Sequence, residues 1–141
     1  MYRIGVDLGG TNIAVGIINE NFEIIGLGKA KTNAPRPAEE IFDDIIKCIN
    51  LAIEDAGITV ADVESVGIGT PGSVDKENGV IMYANNLGFL NVPAVEYINK
   101  AFPDVKVYIE NDANAAALGE ALAGCGKGKK SFIAITLGTG V

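Results

Sequence analysis

The chain has 141 residues, 48% of them apolar, which is enough for one folded domain and too apolar for an intrinsically disordered chain. Its net charge of −7, without a basic stripe, argues against nucleic acid or an anionic membrane surface as a partner. Histidine is absent, so Ser–His and Cys–His nucleophile pairs and His-ligated metals are excluded within this chain. The two cysteines, Cys48 and Cys125, form no CxxC motif, and we expect two reduced thiols in a cytoplasmic protein. No signal peptide and no apolar run of bilayer-spanning length is visible.

Three antiparallel strands are predicted first. Short apolar runs at residues 3–8, 12–18 and 22–30 are joined by short, turn-like connections. A helix follows, because isoleucines recur every four residues at Ile41, Ile45, Ile49 and Ile53. Pro37 suits the first turn of this helix and Gly57 suits its end.

The rest of the chain alternates strands and helices. The predicted elements are a strand at 63–69, a hairpin around 74–82, a loop at 84–91, a helix at 92–102, a strand at 105–109, a helix at 111–123 and a strand at 131–136. Antiparallel strands followed by strand–helix–strand units imply a mixed sheet covered by helices, with right-handed crossovers.

A candidate anion site follows the first strand. Asp7 stands at the strand's tip, and Gly9 and Gly10 let backbone N–H groups approach a bulky anion, with Thr11 and Asn12 adding polar donors. Because a carboxylate repels phosphate, Asp7 beside such a loop indicates a divalent cation between the two. A tight hairpin turn explains the glycines equally well, since Gly-Gly between strands is a common turn signal.

Residues 67–72 spell the string GxGxxG. A dinucleotide-binding fingerprint needs a helix immediately afterwards, whereas Pro71 and a hairpin follow here. We therefore interpret this string as a turn at a strand end that lines a pocket. The amides of Asn85 and Asn86, in the next loop, pair well with hydroxyl groups, although turn formation explains them equally well.

Residues 110–114 follow a strand and open a helix. Helix capping by Asn111 or Asp112 explains this pattern structurally. A functional explanation is compatible with it, because ligands of open α/β sheets bind where strands end beside helix N-termini. A carboxylate at that point can accept a proton from a substrate hydroxyl, as in phosphoryl transfer.

In order and spacing, these motifs resemble the ROK family of bacterial sugar kinases, most of all its glucokinases, within the actin-like or hexokinase-type ATPase superfamily. The segments that carry the resemblance are 7–12, 69–72, 85–88, 110–114 and 137–140. The resemblance runs over the whole chain and corresponds to about the N-terminal half of a family member. It implies an α/β, ribonuclease H-like lobe at residues 1–124, with a mixed sheet of order 3-2-1-4-5 flanked by helices. Residues 125–141 would form a hinge and the first strand of a truncated second lobe.

The resemblance also implies ATP and Mg²⁺ as cofactors and transfer of the ATP γ-phosphate to a hexose, for which glucose is the expected substrate. Asp112 would be the catalytic base, and Asp7 would hold Mg²⁺ directly or through water. The residues expected to contact the sugar are Gly72, Asn85, Asn111 and Asp112. Those expected to bind the ATP phosphates are Gly9, Gly10, Thr11 and Asn12 in a first loop and Gly138, Thr139 and Gly140 in a second.

Family members carry further sugar ligands, often a zinc site, and the adenosine pocket downstream of the part that this chain matches. We therefore expect a structural zinc only in that missing half and none in this chain, and a homo-oligomer that is dimeric at full length. We expect little or no kinase activity from this chain alone, because such catalysis depends on positioning between two lobes. Exposed apolar surface around residues 131–136 should favour self-association.

Two other functions compete with the kinase. One is a non-catalytic sugar-sensing module of a ROK-type repressor, which would carry a DNA-binding helix-turn-helix ahead of this part. We expect no such element, because the chain is acidic and starts on its first strand. The presence of both Asp7 and Asp112 also favours the enzyme. The other is a structural or assembly fragment of an actin-like protein, against which Asn85, Asn111 and Asp112 argue.

Overall fold

The computed structural model describes residues 1–137. The strands and helices in chain order are β1 (Tyr2–Leu8), β2 (Asn12–Ile18), β3 (Ile24–Lys31), α1 (Ala38–Ala56), β4 (Val63–Thr70), β5 (Ser73–Asp75), β6 (Val80–Ala84), β7 (Phe89–Val92), α2 (Ala94–Ala101), β8 (Lys106–Asn111) and α3 (Asp112–Leu122). Two short 3₁₀ turns, Val60–Asp62 and Asn85–Leu87, precede β4 and β7.

Five strands form a mixed sheet in the order β3-β2-β1-β4-β8. The first three strands are antiparallel neighbours, whereas β4 runs parallel to β1 and β8 runs parallel to β4. This is the order predicted from the sequence, with β8 as the fifth strand. Helices separate the parallel strands, because a parallel neighbour needs a long crossover connection.

Helix α1 packs on β3 and β2 through the predicted isoleucine stripe. Ile41, Ile45 and Ile49 are completely buried. The helix can approach closely because β3 carries glycines toward it: a methyl group on Gly28 would overlap the Cys48 carbonyl oxygen. Gly57 ends the helix at φ 66°, in the left-handed region that favours glycine.

An aromatic stack connects the main core to the smaller part of the fold. The Phe42 ring of α1 lies 5.0 Å from the Tyr97 ring of α2 and 6.3 Å from the Phe89 ring of β7, measured between centroids. Phe42 and Phe89 are buried. Burial of rings of this size holds α1, α2 and β7 together.

A second sheet of three short antiparallel strands has the order β5-β6-β7. The hairpin predicted around residues 74–82 is present as β5 and β6, but the loop predicted over 84–91 is wrong. Asn85–Leu87 forms a 3₁₀ turn, Gly88 follows at φ 69°, and the chain returns as β7 beside β6. Strand β7 forms because Phe89 and Val92 are buried while its backbone pairs with β6.

The C-terminal part of the chain differs most from expectation. Helix α3 packs against β4 and β8, yet Leu118 and Leu122 remain exposed. The strand predicted over residues 131–136 is absent, since these residues pair with no strand of the described chain. An extended segment without a pairing partner gains no ladder hydrogen bonds and is not stable as a strand. Ile133, Ile135 and Leu137 are largely exposed, as expected for this segment.

Candidate active site

The carboxyl ends of three neighbouring strands bring the predicted site residues to one edge of the main sheet. Asp7 of β1 lies opposite Gly69 of β4, and Gly69 lies opposite Glu110 of β8. One residue further on, Thr70 lies opposite Asn111. Residues separated by 41 to 62 positions in sequence are therefore neighbours, and ligands of open α/β sheets bind at such an edge.

The first glycine loop, residues 9–12, is a tight turn between β1 and β2. The Gly9 N–H donates to the Asn12 carbonyl at 3.0 Å, and the Lys31 ammonium donates to the Asn12 side-chain oxygen at 2.8 Å. Within the described residues, the N–H groups of Gly10 and Thr11 donate to no protein acceptor. Both the hairpin-turn and the anion-loop explanations are compatible with this geometry, because the turn leaves two unpaired donors available for an anion.

The second polar loop approaches this turn closely. A methyl group placed on Gly10 would lie 3.2 Å from the Asn86 carbonyl oxygen and 3.3 Å from the Asn86 Cβ. A glycine at position 10 thus lets the 85–87 turn approach the glycine loop without crowding. The sequence analysis named Asn85 and Asn86 together as amides that pair with hydroxyls, and it expected only Asn85 to contact the sugar.

Asp7 and Asp112 form the acidic part of the edge. The pKa of the Asp7 carboxyl is raised, first by partial desolvation at the strand ends and second by repulsion from the Asp112 carboxylate. Among the described residues, no three Asp, Glu, Cys or His side chains cluster as a complete metal cage. One or two carboxylates beside a phosphate loop fit Mg²⁺, which commonly uses few protein ligands together with substrate phosphates.

Asn111 connects the turn at Gly72 to helix α3. As the N-cap of the helix, its side-chain oxygen accepts from the N–H groups of Ala113 and Asn114 at 3.0 and 3.2 Å. Its side-chain NH₂ donates to the Gly72 carbonyl at 3.1 Å. The capping explanation is therefore correct, and within residues 1–137 the second N–H of the amide has no acceptor and is available to a ligand.

Gly72 precedes β5 and packs against the end of β6, and Asn85 directly follows β6. Gly72 has φ 88°, and a methyl group there would overlap the Tyr83 carbonyl oxygen, so only glycine fits. Asn85 is exposed, and its side-chain oxygen accepts from the Tyr83 hydroxyl at 3.2 Å. Gly72 thus contacts Asn111 directly, whereas Asn85 joins the edge through its neighbours in the 85–87 turn.

Glu110 and Lys76 form an ion pair that joins the β5–β6 hairpin to the β8–α3 corner. Glu110 also accepts from the Asn111 N–H at 2.8 Å and from the Asn114 side chain at 3.2 Å. The Lys76 ammonium is the main reason that the pKa of Glu110 is lowered. Neither residue was predicted from the sequence to be a site residue. The two lie far apart in sequence, and the crossover connection that contains α2 brings β8 next to β5.

The second glycine loop lies outside the described residues, so Gly138, Thr139 and Gly140 stay predictions. The GxGxxG string is resolved, and β4 is followed by a turn and by β5. The absence of a helix after this string confirms that it is no dinucleotide-binding fingerprint. No helix in the described part of the chain combines the length and the apolar character needed to cross a membrane.

A mixed five-stranded sheet of order β3-β2-β1-β4-β8 flanked by helices is the fold of actin-like, hexokinase-type proteins. The ROK family model matches residues 3–141, and the chain belongs to the ROK family. It is 40% identical to a glucokinase from Thermotoga maritima over 142 residues, which cover 98% of this chain and 42% of that protein. A xylose repressor from Caldicellulosiruptor bescii is 34% identical over 117 residues, covering 83% of this chain and 29% of the repressor.

Solved structures give the same fold. The chain superposes on a ROK family glucokinase from Streptomyces griseus, in complex with glucose and AMPPNP, with a TM-score of 0.81 and 38% identity. The match covers 91% of this chain and 38% of that one. The predicted ribonuclease H-like, actin-like ATPase fold is therefore confirmed. The chain spans about two fifths of the length of these kinase relatives.

Proposed function

We propose that this chain is the N-terminal, substrate-binding part of an ATP-dependent sugar kinase whose acceptor is a hexose, with glucose as the first candidate. The proposal rests on three features that lie at one edge of the main sheet. They are the loop at residues 9–12, in which two backbone N–H groups have no acceptor among the described residues, the Asp7–Asp112 pair, and the hydrogen bond from Asn111 to Gly72. The similarity to glucokinases and to a structure described with glucose and AMPPNP supports the choice of substrates.

Asp112 is the proposed general base. It stands in the first turn of α3, remains exposed, and one carboxylate oxygen accepts from the Ala113 N–H at 2.8 Å. That bond holds the carboxylate at the helix N-terminus and leaves its second oxygen able to take a proton from a sugar hydroxyl. The free N–H of Asn111 is the proposed donor to a neighbouring hydroxyl, with Gly72 and Asn85 beside it.

The loop at residues 9–12 is the proposed cradle for nucleotide phosphates. The unpaired N–H groups of Gly10 and Thr11 supply donors, and the exposed carboxylate of Asp7 lies beside them. When bound, Mg²⁺ would neutralise the negative charge between Asp7 and the phosphates and so favour transfer of the γ-phosphoryl group.

The test uses Asp112→Asn in the full-length protein that contains this chain. Hexose phosphorylation should fall by about 10² to 10⁴-fold, the range that a general base contributes, while hexose affinity should stay close to that of the wild type. Asp104→Asn is the matched control, because Asp104 is an exposed carboxylate in the turn before β8. Turnover retained by Asp112→Asn would contradict the assignment of the base.

The second candidate is the sugar-sensing module of a repressor, and the similarity to a xylose repressor favours keeping it. The two functions differ in turnover. A panel of hexoses incubated with ATP and Mg²⁺ should yield a sugar phosphate if the protein is a kinase. Hexose or pentose binding without any phosphorylated product, in the full-length protein, would favour the sensor.

A further inference from the structure

Thr32 is one of two polar residues that are completely buried among the described residues; the other is Thr70. It directly follows β3 and lies beneath the loop at residues 9–12. Its hydroxyl donates to the Gly9 carbonyl at 2.6 Å, and its own N–H donates to the Thr11 carbonyl at 2.9 Å. A buried hydroxyl with a short hydrogen bond is strongly oriented, because leaving either group unpaired there would cost free energy.

These two bonds determine where the loop's donors point. In a trans peptide unit, the carbonyl of one residue and the N–H of the next point in opposite directions. A Gly9 carbonyl held inward by Thr32 therefore turns the Gly10 N–H outward, and this N–H has no acceptor within the described residues. The Gly9 N–H also donates to the Asn12 carbonyl at 3.0 Å. Protein donors therefore hold three of the four carbonyls of the loop, those of Gly9, Thr11 and Asn12.

Thr32 is itself held from the other side. Its carbonyl accepts from the Arg36 Nε at 2.7 Å. The Arg36 guanidinium pairs with Asp44 of α1 and lies 3.7 Å from Glu40 of the same helix. A continuous set of hydrogen bonds thus runs from α1 through Arg36 and Thr32 to the glycine loop, so the loop is held against the most deeply packed helix of the fold.

We propose that Thr32 is a positioning residue, whose hydroxyl sets the direction of the Gly10 N–H and thereby the affinity of this site for nucleotide phosphate. This inference rests on the proposed kinase function. Thr32 touches no ligand in this scheme, since it is buried beneath the loop, and it acts through the Gly9–Gly10 peptide alone.

The test compares Thr32→Val with Thr32→Ser in the full-length protein. Valine keeps the shape of threonine and removes only the hydroxyl, whereas serine keeps the hydroxyl. We expect Thr32→Val to raise the KM for ATP about tenfold, the effect of losing one buried hydrogen bond, and to change the KM for hexose less than about twofold. Thr32→Ser should restore the KM for ATP to within about threefold of wild type. Thr59→Val, which removes an exposed hydroxyl that bonds Asp62 before β4, is the control and should leave the KM for ATP at its wild-type value.

Affinity for a nonhydrolysable ATP analogue, measured by calorimetry, separates the two ways in which the idea can fail. A wild-type protein that neither binds the analogue nor phosphorylates hexose refutes the proposed function, and the role of Thr32 with it. A working wild type whose Thr32→Val variant binds the analogue normally, or whose Thr32→Ser variant is as impaired as Thr32→Val, refutes only the positioning role. If Thr32→Val does not fold, Thr32→Cys replaces it with the same expected direction, because a thiol is a much weaker donor.

Discussion

Gly72→Ala is the substitution for which the structure makes the sharpest stability prediction. Gly72 has φ 88°, and an added methyl group would overlap the Tyr83 carbonyl oxygen and lie 2.9 Å from the Ala84 Cα. Ordinary van der Waals contact begins at 3.4 Å, so relieving the overlap with the Tyr83 carbonyl oxygen requires the β6 backbone to move away by more than about an ångström. The atoms in the way belong to the backbone of a paired strand, which cannot rotate aside as a flexible side chain can.

The expected cost has two parts. A left-handed conformation costs an alanine about 1–2 kcal/mol relative to glycine, and forcing packed atoms apart costs about 1–3 kcal/mol. Together these predict a loss of about 2–5 kcal/mol, which is a large part of the 5–15 kcal/mol that stabilises a typical domain. The same movement should weaken the hydrogen bond from the Asn111 side chain to the Gly72 carbonyl and so lower hexose affinity.

Three other glycines separate the two parts in the same urea-denaturation assay. Gly57→Ala tests φ alone, because Gly57 has φ 66° and no atom within 4 Å of an added methyl group. Gly28→Ala tests overlap alone, since its methyl group would meet the Cys48 carbonyl while φ stays outside the left-handed region. Gly5→Ala tests neither and should cost little. A Gly72→Ala loss no larger than that of Gly57→Ala would show that the turn relaxes freely, and would refute the reasoning.

Two ion pairs give further predictions. Lys76→Met should raise the KM for hexose about two- to fivefold, with Lys76→Arg as the rescue. Lys76 pairs with Glu110, and Glu110 accepts from the backbone N–H of Asn111, the residue whose side-chain amide is the proposed hexose donor. An unchanged KM in steady-state kinetics would contradict this. Asp44→Asn should lower stability by about 1–2 kcal/mol at pH 7, since Arg36 is the main cause of the lowered pKa of Asp44. The contribution of the ion pair to stability is complete above the usual Asp pKa of about 4 and is lost as pH falls through the lower folded-state pKa of Asp44. In urea denaturation, the difference in unfolding free energy between wild type and variant should therefore shrink toward about pH 2. A gap that persists at pH 2 would contradict the ion-pair explanation.

The main sheet and α1 were predictable because their signals are local. Apolar runs of strand length identify β1, β2 and β4, and the four-residue isoleucine repeat identifies α1 between Pro37 and Gly57. The order of the five strands followed from short connections at the start and crossover helices later. Strand β7 was missed because it has four residues, follows a glycine and contains Asn91 at φ 51°, so no alternation is visible in its sequence.

The site was predictable only in part, for a related reason. Asp7, Asn111 and Asp112 of the candidate site could be selected from the sequence because each stands at a strand end within a local motif, and the structure brings these strand ends to one edge. Thr32 beneath the glycine loop was missed, although the antiparallel pairing of Asn12 with Lys31 already implies that Thr11 and Thr32 are neighbours. The approach of Asn86 to Gly10 spans 76 positions and depends on crossovers whose geometry no local pattern specifies.

The acidic pair bears on the choice between kinase and sensor. The pKa of Asp7 is raised first by desolvation and second by repulsion from the Asp112 carboxylate, and both effects disfavour a charged Asp7 in a protein that binds only neutral sugars. A sugar sensor could use the Asn111–Gly72 corner alone and would be more stable with a neutral residue at position 7. In the proposed kinase, Asp112 would act as the base and a cation would bind near Asp7, and that cation would turn the repulsion into attraction. If the protein is a sensor, the Asp7→Asn variant should bind hexose and be more stable than wild type with or without Mg²⁺. If the protein is a kinase, the Asp7→Asn variant should lose Mg²⁺-dependent nucleotide binding. Calorimetry with and without Mg²⁺ separates the two functions.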